Sequence, residues 1–544
     1  MNPVIGRSDD PSGPTQAPLS LNLGRDGHLV AFGMPASGKT TVVQTLVTSL
    51  ALTHSPDELH LYLLDFGSRL LTTFSGLPHV GAVIYGDENE RVARMFRYLQ
   101  QELERRKIIL AEVGVANLSD YRRMGKSDMP AMVMVIDNYP GFAAAYEEAD
   151  ELLVAFTREG SGYGLHVVLT VDAPNNIRMK LSSNMGLVMS LQLKDTSEYM
   201  SVLGRTNGLV PSPVPGRGLV KGEPPLEFQT ALPAEGQTEF QRTAQLKQLF
   251  LRMAAAWGNQ PRPRAINTLP EAQPLCELWD AAQAAHTEAP IGLNEDSLEP
   301  FGIGLSAGPH FMVAGPPQSG KTTLLRSWLM GLAREFSPQQ LNLCLVDFRQ
   351  DSLGPLAALP HAHMADGPDA FATMVENLDA ELTQRRRQLE EARQSEAQGE
   401  FDAVVFAAQF ARIVLVIDDF DAVRDQAPTE AMMTLDGWAK SSRGLGFHII
   451  MAGAESDFFG TDGWARTVKD QQAGFFLGGA DMQVFNVRVP YAAMKKTYSP
   501  GQGFFIAKSR LTPIKVATPD VGALRLAQMV RGIHWQWQEM RVSM

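Results

Sequence analysis

Cysteine is nearly absent: Cys276 and Cys344 are the only two in 544 residues, they form no CxxC pair, and no histidines cluster around them. That excludes a disulfide framework and a zinc site and points to a reducing compartment. Long hydrophobic runs are missing too. No stretch approaches the roughly 18 uninterrupted apolar residues of a membrane span. The opening MNPVIGRSDD lacks the charged-then-apolar order of a signal peptide. Basic charge is also short: 48 Lys and Arg against 60 Asp and Glu leave a formal charge of −12. That balance argues against a protein whose main work is neutralising nucleic-acid phosphates, while leaving room for a local basic channel. The chain as it stands is expected to be soluble and cytoplasmic.

The remaining composition, 44% hydrophobic and 20% charged, is that of packed globular domains, and the length is too great for a single core. Self-comparison divides it. Gly33, Asp65, Leu77 and His166 recur at Gly315, Asp347, Leu359 and His448 with an offset of 282, and Asp137 recurs at Asp418 with an offset of 281. An ordered series of this kind marks an internal repeat. Matching segments IGRSDDP and IGLNEDS open the two copies, so the expected modules are residues 1–230 and 288–544. Between them, 231–287 reads as a structured linker, with an amphipathic helix through Leu246, Leu249, Phe250, Met253 and Trp257 that breaks at Gly258 and NQPRPR.

Within each module, near-continuous apolar strands alternate with amphipathic helices. HLVAF, HLYLLDF, AMVMVID and HVVLTV in the first copy return as HFMVA, NLCLVDF, RIVLVID and HIIMAG in the second. Strands of this kind are buried on both faces, which predicts an α/β fold with mostly parallel central sheets flanked by helices. Residues 90–113 and 521–537 are expected among those helices. The arginine-rich stretches ELERRK and LTQRRRQ read as solvated helix faces flanked by acids rather than as nucleic-acid contacts.

Each copy carries G-x-x-x-x-G-K-T between a buried strand and a helix: Gly33, Met34, Pro35, Ala36, Ser37, Gly38, Lys39, Thr40, then Thr41; and Gly315, Pro316, Pro317, Gln318, Ser319, Gly320, Lys321, Thr322, then Thr323. Such a loop wraps phosphates with backbone N–H groups at a helix N-terminus, the lysine adding a point charge and the glycines allowing close approach. This predicts tandem RecA-like P-loop modules binding ATP and Mg²⁺. Thr40 with Asp137, and Thr322 with Asp418, are the expected metal-holding pairs. Asp65 and Asp347 end a neighbouring strand and serve either the site or the following turn. Hydrolysis usually needs a carboxylate just after the metal-holding Asp, and Asn138 and Asp419 stand there. An amide accepts no proton and Asp is shorter than Glu, so binding is expected to outlast turnover. Pro35 removes one loop N–H, whereas Pro316 and Pro317 remove two.

Taken together, IGRSDDP, GMPASGKTT, LLDF, LPHV, ELERRK, VIDNYPGF and the G-x-G-L-H at Gly162 to His166 resemble the FtsK/SpoIIIE class of RecA-like ATPases, and most closely the EccC/EssC ATPases of type VII secretion systems. The resemblance implies the last two of three ATPase modules, without the membrane helices and the first motor, standing on the cytoplasmic side of the membrane. It further implies recognition of export signals on WXG-type substrates by the final module, other secretion subunits as partners, and self-association into a hexamer. A DNA-translocating motor is the alternative, with DNA the less expected partner. Two departures weaken the motor pattern. The family's glutamine six residues after the strand-start histidine is Asp172 and Ala454 here, and the expected arginine finger is Ser161 in the first copy and Arg443 only in the second.

Overall fold

The structure is a computed structural model describing residues 1–542, apart from 11–14, 259, 285–287, 351, 396–405, 407, 443, 462, 479–482, 495 and 521–524. The chain divides into two compact units, Met1–Thr268 and Leu269–Met544. The first unit contains strands β1 (Val4–Asp10), β2 (Thr15–Ser20), β3 (Leu29–Phe32), β4 (Leu59–Asp65), β5 (Val80–Tyr85), β6 (Ala131–Asp137), β7 (Leu165–Val171), β8 (Leu187–Ser190), β9 (Arg217–Val220) and β10 (Leu226–Thr230). Among the described residues they form one sheet in the order β2-β1-β10-β9-β8-β3-β7-β6-β4-β5. From β8 to β5 every pairing is parallel, and from β8 to β2 every pairing is antiparallel.

The second unit repeats this plan. Its strands are β11 (Pro290–Asn294), β12 (Pro300–Gly302), β13 (His310–Ala314), β14 (Leu341–Val346), β15 (Ala362–Ala365), β16 (Arg412–Ile417), β17 (Phe447–Gly453), β18 (Ala473–Leu477), β19 (Gln502–Ala507) and β20 (Arg510–Val516). Their order, β12-β11-β20-β19-β18-β13-β17-β16-β14-β15, matches the first sheet position for position.

The continuous apolar strands have the expected cause. In β6, Val133 and Val135 face a core shared with helix Lys39–Thr53, while Met134 and Ile136 face a second core shared with helices Asn89–Val113 and Glu147–Glu159. A strand covered on both sides has no polar face to show. Helix Glu239–Ala256, from the expected linker, adds Leu246, Phe250 and Met253 to the first unit's core. Helix Leu275–Ala284 adds Leu275 and Leu278 to the second. The C-terminal helix spans Leu526–Val542; residues 521–524 of the expected one lie outside the described residues.

One expectation is corrected. Arg106 and Arg385, read as part of solvated faces, are buried. Each pairs with the glutamate one turn earlier, Glu102 or Glu381, and donates to two loop carbonyls, Tyr163 and Pro130 in one unit, Leu445 and Ala411 in the other. A planar five-donor side chain fits where several carbonyls converge without water. Helical charge spacing alone does not reveal that convergence.

The far ends of the parallel strands, away from the P-loops, are tied by histidines. His28 Nδ1 accepts from Val167 N at 2.9 Å, which leaves Nε2 to donate to Thr157 O, also at 2.9 Å. His310 repeats both bonds with Ile449 N and Ala439 O. Beside them, His166 and His448 bond the carbonyls of Gly27 and Pro309. Burial pushes His28, His166 and His448 down to about 4. Between pH 6.5 and 4 the unfolded chain therefore takes up protons that the folded chain refuses, so this stabilisation is complete above pH 6.5 and fades as pH falls. Each ring contributes up to roughly 3 kcal/mol. Thermal unfolding should accordingly show Tm falling steadily below pH 6.5, with a shallower slope in the His28→Gln/His310→Gln variant; a flat profile down to pH 4.5 would contradict the neutral-ring assignment.

Candidate functional site

At the carboxyl ends of the parallel strands, β3 leads through Gly33–Gly38 into helix Lys39–Thr53, whose first N–H groups no side chain caps. Ala36 and Gly38 both have positive φ, 63° and 104°. A Cβ at Gly38 would lie 2.8 Å from Gly216 N, and that N–H donates to Ser37 O at 2.8 Å. The P-loop is thus braced from outside by the turn preceding β9. In the second unit a Cβ at Gly320 would meet Gly501 N at 2.9 Å, and Gly501 N donates to Ser319 O at 2.8 Å. These bracing glycines were missed in the sequence, although the repeated P-G-x-G at Pro215 and Pro500 could have revealed them.

The residues expected to act together do meet. Lys39 Nζ donates to the carbonyls of Gly33 and Met34, and Lys321 Nζ to those of Gly315 and Pro316 at 2.9 and 3.0 Å. Burial lowers the pKa of both ammonium groups. The charges of Asp137 and Asp172 oppose that shift for Lys39, and those of Asp418, Asp419 and Asp457 oppose it for Lys321. Thr40 Oγ1 donates to Asp137 Oδ2 and Thr322 Oγ1 to Asp418 Oδ2, each at 2.9 Å. Burial raises the pKa of Asp137 against the pull of the hydroxyls of Thr170 and Thr40.

This arrangement fits a nucleotide triphosphate. The glycine cradle would be filled by any Cβ, an uncapped helix start faces it, and Ser37 Oγ and Ser319 Oγ are buried without a partner in the structure. Each Thr–Asp oxygen pair suits Mg²⁺, which takes one or two protein oxygens and completes its shell with phosphate and water. Among the described residues no group of three or more His, Cys, Asp or Glu could hold a metal unaided.

The residues that follow Asp137 and Asp418 are both in the left-handed region, Asn138 at φ 66° and Asp419 at φ 53°. Asn138 Nδ2 donates to Phe66 O at 2.9 Å, so the amide is spent on the neighbouring strand's turn. Asp419 lies 3.4 Å from the Arg349 guanidinium, which also bonds Asp421 at 2.7 Å. Burial and the charge of Asp418 raise the Asp419 pKa. Asp65 and Asp347 cap the turns that follow them, accepting from Gly67 N and Leu71 N, and from Ser352 N and Leu353 N. Asp172 accepts from Ala173 N and Asn176 Nδ2, and Ala454 N donates to Asp457. Arg443 lies outside the described residues.

A second feature distinguishes the units. In the first, residues 264–266 lie across β4, β5 and helix Asn89–Val113. Tyr62 Oη donates to Arg264 O at 3.0 Å, Arg91 Nε donates to Ile266 O at 2.7 Å, and the Arg264 guanidinium lies 5.3 Å from the centre of the Tyr98 ring. The corresponding place in the second unit, between β14, β15 and helix Pro368–Ser395, is a cavity of about 800 Å³ lined in part by Cys344, His363, Ala370, Asn377, Glu381 and Arg385. These residues stand where Tyr62, Gly81, Arg91, Tyr98, Glu102 and Arg106 stand in the first unit, and the matching Arg106 and Arg385 bonds fix the alignment.

The FtsK/SpoIIIE family profile matches residues 9–207 and 278–456, most of the chain and both copies of the repeat. The chain belongs to the FtsK/SpoIIIE family. Within that family it is 29% identical over 463 residues to the ESX secretion system protein EccC of Thermomonospora curvata, covering 83% of this chain and 34% of that protein. It spans about a third of the length of such curated relatives. Its fold matches EssC (ATPases 2 and 3) from Geobacillus thermodenitrificans with a TM-score of 0.83 at 23% identity, covering 95% of this chain and 96% of that one. It also matches Thermomonospora curvata EccC (ATPases 2 and 3) in complex with a signal sequence peptide, with a TM-score of 0.59 at 26% identity over 96% of this chain and 93% of that one. As an FtsK/SpoIIIE chain it is a tandem of P-loop ATPase modules, and among its described residues no helix is long and apolar enough to cross a membrane.

Removing one P-loop ammonium tests the sites separately. Titration of the whole chain with a fluorescent ATP analogue should show Lys39→Ala losing the first site and Lys321→Ala the second, each by at least about tenfold in affinity, since a charge-assisted phosphate contact is worth roughly 1.5–3 kcal/mol. Unchanged affinity in both variants would make the loops relics.

Proposed function

We propose that this chain is the ATP-binding cytosolic portion of a type VII secretion ATPase, coupling Mg-ATP binding in both modules to recognition of an export signal by the second, with slow or regulatory hydrolysis. One observation carries the recognition role: the groove that residues 264–266 fill in the first unit is, among the described residues, open in the second. A place shaped to hold a short chain segment in one copy of a repeat is a natural receptor for another such segment in the other copy. The signal sequence peptide bound by the Thermomonospora curvata relative supports this reading. The segment proposed for this chain is the export signal of a WXG-type substrate. Assembly with other secretion subunits and self-association into a hexamer follow from the same reading.

The expectation of slow turnover rests on Asn138, whose amide cannot accept a proton, and on Asp419, which faces the Arg349 guanidinium. What these modules offer in full is binding: the loops, the lysines and the Thr–Asp pairs, which would hold the phosphates and Mg²⁺. Nucleotide would then set the stability and packing of each module more than it would drive motion.

Two measurements test the proposal. In titration calorimetry a signal peptide from a co-encoded WXG-type substrate should bind the whole chain, and filling the groove from its exposed rim with Thr373→Arg or Asn377→Trp should weaken that binding at least about tenfold without lowering nucleotide affinity. Turnover without peptide should stay well below about 1 s⁻¹, the low end of ordinary enzymes. Absence of peptide binding, or binding indifferent to both substitutions, removes the recognition role; turnover stimulated by DNA would replace it with a DNA-translocating motor.

A further inference from the structure

The carboxylates of Asp137 and Asp418 are held by different partners. In the first unit Thr170, fully buried near the end of β7, donates its hydroxyl to Asp137 Oδ1 at 2.6 Å and accepts from Asn138 N at 2.7 Å. Asp137 Oδ2 is meanwhile held by Thr40 at 2.9 Å. Both carboxylate oxygens are therefore fixed from other elements, one from the neighbouring strand and one from the P-loop helix. A hydroxyl has one proton to give, and here it goes to the carboxylate while a lone pair takes the peptide N–H, so the Thr170 side chain has one orientation that satisfies both bonds.

In the second unit the matching residue is Ala452, which occupies Thr170's register position: Ala452 pairs with Val313 as Thr170 pairs with Ala31. With no hydroxyl there, Asp418 Oδ1 accepts from Asp419 N at 3.1 Å, the amide of its own neighbour. That contact moves with the residue and ties it to no other strand.

We propose that Thr170 is a positioning residue for the metal-binding carboxylate of the first unit, and that Ala452 in its place leaves the second unit with the weaker coupling between Mg²⁺ and nucleotide. The inference rests on the reading of both P-loops as nucleotide sites. A carboxylate held at both oxygens from other elements loses little freedom when it takes a metal, whereas Asp418, held by Thr322 at one oxygen and only by its own neighbour's amide at the other, keeps more freedom for the metal to remove. The groups facing Asp137 come from three elements: Thr40 from the helix, Thr170 from β7, and Asp65, which pairs with it across the β4–β6 ladder. Of these, Thr170 is the one without an equivalent in the second unit, where Thr322 and Asp347 are present.

The readout is the ratio of ATP-analogue affinity with and without Mg²⁺, measured on the whole chain. The Lys321→Ala background reports the first site and Lys39→Ala the second. Thr170→Val, which keeps the shape and removes the hydroxyl, should cut the first site's ratio by about tenfold, the usual cost of losing a partner that orients a metal ligand, while the metal-free affinity stays within about twofold. Thr170→Ser should restore the ratio, and Ala452→Thr should raise that of the second site. A Thr170→Val ratio equal to the parent's, an equal loss with and without metal, or failure of serine to restore it would each overturn the proposal. A parent chain that binds no nucleotide overturns the underlying reading instead. That result is distinct from a parent with full Mg²⁺ dependence matched by its Thr170→Val variant.

Discussion

The bond from the Thr40 hydroxyl to the Asp137 carboxylate joins two elements nearly a hundred residues apart, and the geometry around the first P-loop depends on it. It holds the first turn of the P-loop helix against the end of β6. Both partners are set by burial on a larger scale: β6 is covered on its two faces, and the P-loop is braced where Gly38 approaches Gly216. Neither can shift far without opening a close-packed core. The same bond at Thr322 and Asp418, with Gly320 against Gly501, shows the second unit to be built on the same constraint.

Around this shared frame the units have diverged at single side chains. Thr170 is matched by Ala452, Asn138 by Asp419 with its arginine neighbour, and the residues that cover one groove have no counterpart covering the other among the described residues. None of these changes touches the lysine, the threonine or the aspartate that meet at each P-loop. The groups proposed to bind nucleotide are thus common to both modules, while their surroundings are particular to each. A tandem of this kind resembles a pair of gauges of one make with different dials.

Much of this was legible in the sequence where chemistry is local. The eight-residue loop between strand and helix carries its own meaning in its glycines and lysine, and a buried strand ending in Asp identifies Asp137 and Asp418 without any knowledge of their neighbours. Contacts across the fold were not legible. Thr170 looks like any β-branched strand residue until β6 lies beside it, and Arg106 looks solvent-bound until the carbonyls of Pro130 and Tyr163 converge on it. The amphipathic period through Leu246, Leu249, Phe250, Met253 and Trp257 identified a helix, but only packing shows that it adds to the first unit's core, while helix Leu275–Ala284 adds to the second's.

The segment at Arg264 to Ile266 belongs to the same unit as the groove it covers, near that unit's C-terminal end. A tethered ligand of this sort is present at an effective concentration in the millimolar range however dilute the protein is. Any peptide in solution competing for the first groove must outbid that local excess, whereas one entering the second meets no built-in rival among the described residues. On the proposed reading, discrimination between two related surfaces would then come from chain connectivity as well as from side-chain chemistry, and cutting the chain near residue 262 would loosen the tether that keeps the first groove filled.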